Sequence, residues 1–279
     1  LCASAAQAGG TPLPDESPQR SLGVGSCASS SCHGAAETWK GSNVLQTEYH
    51  SWLRGDKHAR SYAVLLNERS REIAAKLGLK EPAHRAAVCL DCHAHNVPAA
   101  RRGKEFSIAD GVGCEACHGP AENWIASHTA RGATHAQNVA RGLYPLDQPV
   151  ERARLCLSCH FGNADRLVTH RIMGAGHPRL SFELETFSHL GPSHFRIDAD
   201  YVARKGPWNG AKVWAIGQAL AVAETMKILT SETKGRDGIF PELVVFDCYA
   251  CHHPMSQARW TAVRPFGASP GPGSPRLND

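Results

Sequence analysis

Apolar positions recur at helical spacing in two long stretches of the chain. PWNGAKVWAIGQALAVAETMKILTSE (207–232) places Val213, Trp214, Ile216, Leu220, Met226 and Leu229 on a broad stripe. That pattern predicts one long helix with the stripe in the core. SYAVLLNERSREIAAKLGL (61–79) predicts an amphipathic helix ending at Gly78, a residue type suited to the turn after a helix C-terminus. The overlapping segment WLRGDKHARSYAVLL keeps the spacing and carries His58, and AENWIASH predicts a short helix ending at His128. Residues 161–205 lose the pattern; rich in His, Gly and Pro, they read as loops. The fold class expected is mainly α and loop-rich. No run of eighteen apolar residues is present, so no membrane-spanning helix is coded.

Composition adds an oddity. The chain has 279 residues and 42% hydrophobic content, enough for a folded protein, but aromatics are only 7%. Something other than side chains is expected to fill part of the core. Three segments are expected: a polar, Pro-containing arm (1–20), a central domain (21–260) and a Pro/Gly-rich tail (261–279). The stretch ASAAQA (3–8) has the small-residue pattern of the end of a secretory signal peptide, and Leu1-Cys2 resembles the end of a lipoprotein signal.

Cysteine and histidine change the picture most. Ten of eleven cysteines fall into five pairs, each followed at once by His: CASSSCH (Cys27, Cys32, His33), CLDCH (Cys89, Cys92, His93), CEACH (Cys114, Cys117, His118), CLSCH (Cys156, Cys159, His160) and CYACH (Cys248, Cys251, His252). With His at 16 of 279 positions, five such coincidences have a chance probability on the order of one in a million, which sets aside a plain disulfide framework. Cys-x-x-Cys-His is the attachment signature of c-type haem. Two thiols on a tight turn bond the two vinyl groups of one porphyrin edge, and the adjacent imidazole meets the iron as proximal ligand. CASSSCH keeps the Cys-His half intact and lengthens only the loop, with four small residues. It resembles the longer attachment motif of small tetrahaem cytochromes of sulfate reducers and reads as a fifth site. The expectation is five haem c groups, with a core built around covalently attached haems and residues 86–160 holding three of them close together.

Eleven histidines remain for the opposite faces of the irons, against three methionines, so bis-His ligation is expected for most sites. The candidates singled out are His58, His128, His170, His177 and His253. His170 and His177 lie in THRIMGAGHPRL, where glycines let the backbone approach a ring closely. His253, next to His252, can reach only a neighbouring iron. His135 and His50 are reserves, and His50 can instead bond a propionate.

Trp-x5-His-Ala (Trp52 to Ala59) after a first motif, followed by GVGCEACHGP (111–120), resembles the multihaem cytochromes c typified by the tetrahaem cytochrome of ammonia-oxidising bacteria. The resemblance covers roughly residues 21–160. It implies a periplasmic electron carrier in which His58 caps a haem other than the nearest in sequence. The chain departs from that group in its five motifs, its long first motif and the unmatched stretch 161–247, so the group's hydroxylamine-oxidising partner is not carried over.

The functional expectation is a pentahaem electron-transfer protein working between redox partner proteins, with no catalytic residues of its own. Two alternatives stay open. One is a multihaem oxidoreductase of a small nitrogen or sulfur compound at a five-coordinate haem, where Arg196, Asp198, Asp200, Arg204 and Lys205 with His194 would line the pocket; their ordinary reading is solvated charge. The other is a conducting subunit of a membrane-associated complex, homo-oligomer or haem filament. The formal charge of +4 is no nucleic-acid signal. Ten ionised propionates and five ferric charges would take it to about −1, and full reduction to about −6. Haem attachment takes place outside the cytoplasm, so a periplasmic or extracellular location follows, with Cys2 a candidate membrane anchor.

Overall fold

The computed structural model describes residues 10–40, 44–237 and 241–252. Among them the regular structure is helical, with one isolated β-bridge between Ser21 and Arg102. The α-helices are α1 (Glu48–Gly55), α2 (Ser61–Val64), α3 (Glu68–Lys76), α4 (Ala87–His93), α5 (Cys114–His118), α6 (Ile125–His128), α7 (His135–Ala140), α8 (Pro149–His160), α9 (His170–Ala175), α10 (Leu184–Leu190), α11 (Ala199–Lys205) and α12 (Gly210–Thr230). Short 3-10 turns join several of them, including Val24–Ser26, Lys57–Arg60 and Cys248–Ala250. The expectation of a mainly α, loop-rich fold holds.

The expected helix over 61–79 is two. Asn67 takes an extended conformation and its side chain accepts the amide of Ser70, capping α3 and ending the preceding turn. Asn competes with the helix through this local bond. Gly78, at φ +68°, stops α3 where expected. His58 lies not in a continuous α-helix but in the 3-10 turn between α1 and α2, capped by Asp56.

Residues 161–205, expected as loops, hold three short helices. Thr169, Glu183 and Asp198 each accept backbone amides at the start of α9, α10 and α11. These caps offset the Gly and Pro content. The long helix forms as expected, with Asn209 as N-cap, but its buried face differs. Val213, Gly217 and Ile228 are buried, whereas Trp214 and Met226 are exposed. A Cβ on Gly217 would meet Leu184 Cβ at 3.0 Å, so this glycine lets α12 come down onto α10.

Buried apolar residues form separate small clusters instead of one core. Leu65, Ala74, Ala83, Leu90 and Ala94 make one; Ala153, Leu157, Leu184 and Val213 bring α8, α10 and α12 together in another; Leu167, Ile228 and Val245 make a third. Burying Leu157 and Leu184 contributes about 1.5–3 kcal/mol each. Residues 10–20, expected as an arm, are docked on this body. Arg166 pairs with Asp15 at 2.5 Å, Arg101 donates to the carbonyls of Asp15 and Ser17, and Arg154 to that of Thr11.

Candidate haem-binding sites

Each Cys-His motif sits on a tight turn that brings the imidazole beside its cysteines. Cys89–His93 and Cys156–His160 close α4 and α8, and Cys114–His118 is the whole of α5. In the last motif the amide of His252 bonds the carbonyl of Cys248 at 2.8 Å. The long first motif reaches the same closure by another route. The amide of His33 bonds the carbonyl of Cys27 at 3.1 Å, and the two additional residues fold into a turn closed by Cys32 N–H and Gly34 N–H onto Ser29. A Cβ on Gly34 would lie 2.0 Å from the carbonyl oxygen of Ala28, so the turn needs glycine there.

The five motif histidines do not stand alone. His33 faces His128 with ring centroids 6.3 Å apart, and His93 faces His177 at 6.2 Å. His118 faces His194 at 6.0 Å, His160 faces His58 at 5.7 Å, and His252 faces His170 at 6.0 Å. An imidazole nitrogen binds a first-row metal at about 2 Å, so two imidazoles on opposite sides of one metal have ring centres about 6 Å apart. The five pairs therefore fit an iron held between each two rings. In the tightest, the Nε2 atoms of His58 and His160 are 3.4 Å apart, so an iron about 2 Å from each requires them to part by roughly 0.6 Å.

Four of the candidates from the sequence, His58, His128, His170 and His177, lie in these pairs. His253 lies outside the described residues. His194 fills the fifth place; the sequence offered it only in an alternative reading, as the lining of a charged pocket. That pocket does not gather. Asp198 caps α11, Arg204 pairs with Asp200 one turn away, and Lys205 pairs with Asp147. The reserves are engaged elsewhere: His50 Nε2 lies 3.2 Å from the carbonyl of Gly34, and His135 Nε2 lies 2.9 Å from Asp147. No local pattern marks a distal histidine, because its partner is remote in sequence.

Surrounding groups orient the rings. His33 Nδ1 lies 3.0 Å from Glu48 Oε2, and His58 Nδ1 lies 2.9 Å from Asp56 Oδ1. Both histidines titrate above their ordinary value, chiefly through these carboxylates. Burial pushes both carboxylates up, but the bond and charge of His33 with the amides of Glu48 and Gln46 at Glu48, and the side-chain and backbone bonds from His58 at Asp56, together leave them below their ordinary range. His118 and His160 carry no such partner among the described residues, and burial pulls each down to about 4. Phe182 stacks on His160 at 4.5 Å. Ser61 ties two sites together: its hydroxyl lies 2.7 Å from the carbonyl of His58 and 2.8 Å from that of His93, and it accepts the amide of Val112. Gly111, at φ +68°, makes room; a Cβ there would meet the His58 carbonyl oxygen and the Ser61 hydroxyl, both at 2.6 Å.

Thiols of different motifs also meet. Cys27 is within hydrogen-bonding reach of Cys114, and Cys92 of Cys159. Cys117 lies within electrostatic reach of Cys156. Among the described residues no two cysteines are joined in a disulfide.

Residues 26–119 match the family described as cytochrome c554 and c-prime. The match covers about a third of the chain and supports a c-type cytochrome there. The match supports haem c as the cofactor and electron transfer as the role. The matched part holds the first three motifs and His58, whereas the partners of His33, His93 and His118 all come from beyond it. No curated protein and no solved structure matches the chain. Among the described residues no helix is long and apolar enough to cross a membrane.

Proposed function

We propose that the protein is an exported pentahaem cytochrome c that carries electrons between redox partner proteins through five bis-His haems. The observation that carries this reading is the facing of every motif histidine with a second histidine at 5.7–6.3 Å. Cys27, Cys32, Cys89, Cys92, Cys114, Cys117, Cys156, Cys159, Cys248 and Cys251 would hold the porphyrins. His33, His93, His118, His160 and His252 would bind one face of each iron, and His128, His177, His194, His58 and His170 the other. Haem bound in this way supplies a one-electron couple, at lower potential than a Met/His site would give. Two histidines per iron leave no position for a substrate, which favours a carrier over an oxidoreductase.

The order of the sites follows from their neighbours. Site 1 adjoins site 3 through Cys27 and Cys114, site 3 adjoins site 4 through Cys117 and Cys156, and site 4 adjoins site 2 through Cys159 and Cys92. His170 opens α9 and His177 follows its end, so one short helix spans sites 5 and 2. The row is then 1–3–4–2–5, not the sequence order. The intact mass of the purified protein tests the count. Five haem additions are expected. Four, or mass losses from disulfides joining Cys27 to Cys114 and Cys92 to Cys159, would refute the reading.

A further inference from the structure

Among the described residues, two of the five histidine pairs hold an imidazole Nδ1 against a carboxylate. We propose that Glu48 and Asp56 are tuning residues that set sites 1 and 4 at lower reduction potential than the remaining sites, each through a carboxylate on Nδ1 of one axial histidine. The inference rests on the pentahaem reading above and goes beyond it.

The two contacts are 3.0 Å (Glu48 to His33) and 2.9 Å (Asp56 to His58), and each puts an anion where the ring's second nitrogen must donate. Donation from Nδ1 leaves Nε2 free to meet the iron and makes the ring a stronger base. A more basic axial ligand favours the ferric state. Elsewhere the corresponding atom meets an uncharged carbonyl: His93 with that of Ser61 at 3.1 Å, His128 with that of Ile125 at 2.5 Å, and His177 with that of Pro178 at 2.7 Å. The carboxylates are themselves fixed. Glu48 Oε1 accepts the amide of Gln46, a non-glycine residue held at φ +65°. Asp56 Oδ1 accepts the amide of His58. A left-handed glutamine persists only where its surroundings hold it, here at the turn that aims Glu48 at His33. The side chains of Glu48 and Asp56 are 15% and 23% exposed, so solvent screens them only in part. Both charges also reach His194 through space, without a hydrogen bond, so site 3 should respond less.

Isosteric Glu48→Gln and Asp56→Asn each remove one charge and keep an acceptor oxygen. Spectroelectrochemical titration of the haem-loaded protein should show one of the lowest-potential transitions rising in each variant. The shift expected is about tenfold in that haem's reduction equilibrium, about 59 mV for one electron. One low-spin signal in the electron paramagnetic resonance spectrum should move with it, and Asp56→Glu should return most of the shift. Five low-spin haems with unmoved midpoints would overturn the tuning role alone. Fewer than five haems in the unmutated protein would overturn the underlying reading, and the inference with it.

Discussion

Glu115 sits inside the third motif, between Cys114 and Cys117, and is buried, 3% exposed. Its carboxylate accepts three backbone amides: Leu22 at 2.8 Å, Gly23 at 2.6 Å and Ala121 at 2.7 Å. It thus sews the N-terminal segment and the segment after α5 onto one haem motif. Glu115→Ala leaves three donors without a partner. A buried unpaired amide costs about 1–3 kcal/mol. Water entering the space left by the side chain holds the total near the low end, about 3–5 kcal/mol. For a domain of this size that is a melting-temperature drop of about 6–20 °C. Glu115→Gln should cost less. Leu22 and Ala121 both bond Oε1, which an amide retains, and only Gly23 would face an NH2 group. Thermal melts of the haem-loaded protein by far-ultraviolet circular dichroism, with haem content checked by mass, give the comparison. A drop under about 2 °C for Glu115→Ala, or a larger loss for Gln than for Ala, would refute the reasoning.

Two further predictions follow from the same geometry. His194→Ala removes the partner of His118 and leaves its attachment cysteines intact, so one iron should become high-spin and bind cyanide while five haems remain by mass; an unchanged low-spin spectrum would remove His194 from the set. Asp147 is held down to about 2, first by the hydrogen bond from His135, against burial and with help from Lys205. Its folded value lies below its unfolded one near 4, so its stabilisation is complete above about pH 4 and fades as pH falls towards 2. Asp147→Asn should therefore lie about 1 kcal/mol below the unmutated protein at pH 5 and meet it near pH 2 in guanidinium melts; a gap independent of pH would contradict the pairing.

The five Cys-His motifs were legible because haem c attachment asks for a fixed pattern in a few adjacent residues. Even the lengthened CASSSCH keeps its Cys-His end and recovers the same carbonyl-to-amide closure. The histidines that face the motif histidines were legible only in part. His58, His128, His170 and His177 lay in segments whose local pattern drew notice. His194 lay in GPSHFRID, beside charges that the sequence left as solvated or as an alternative pocket and that the fold spends on an N-cap and ion pairs. The single helix expected over 61–79 failed at Asn67, where one side-chain bond outweighs helical periodicity. The buried face of α12 was missed because Gly217 contributes by absence, letting Leu184 close in, which an apolar stripe cannot register.

The central claim is that every iron is closed by two histidines. Electron paramagnetic resonance of the oxidised protein, with and without added cyanide or nitrite, tests it most directly. The account predicts only low-spin haem signals, unmoved by either ligand. A high-spin haem that shifts on addition would contradict it and mark an open iron at one of the five pairs.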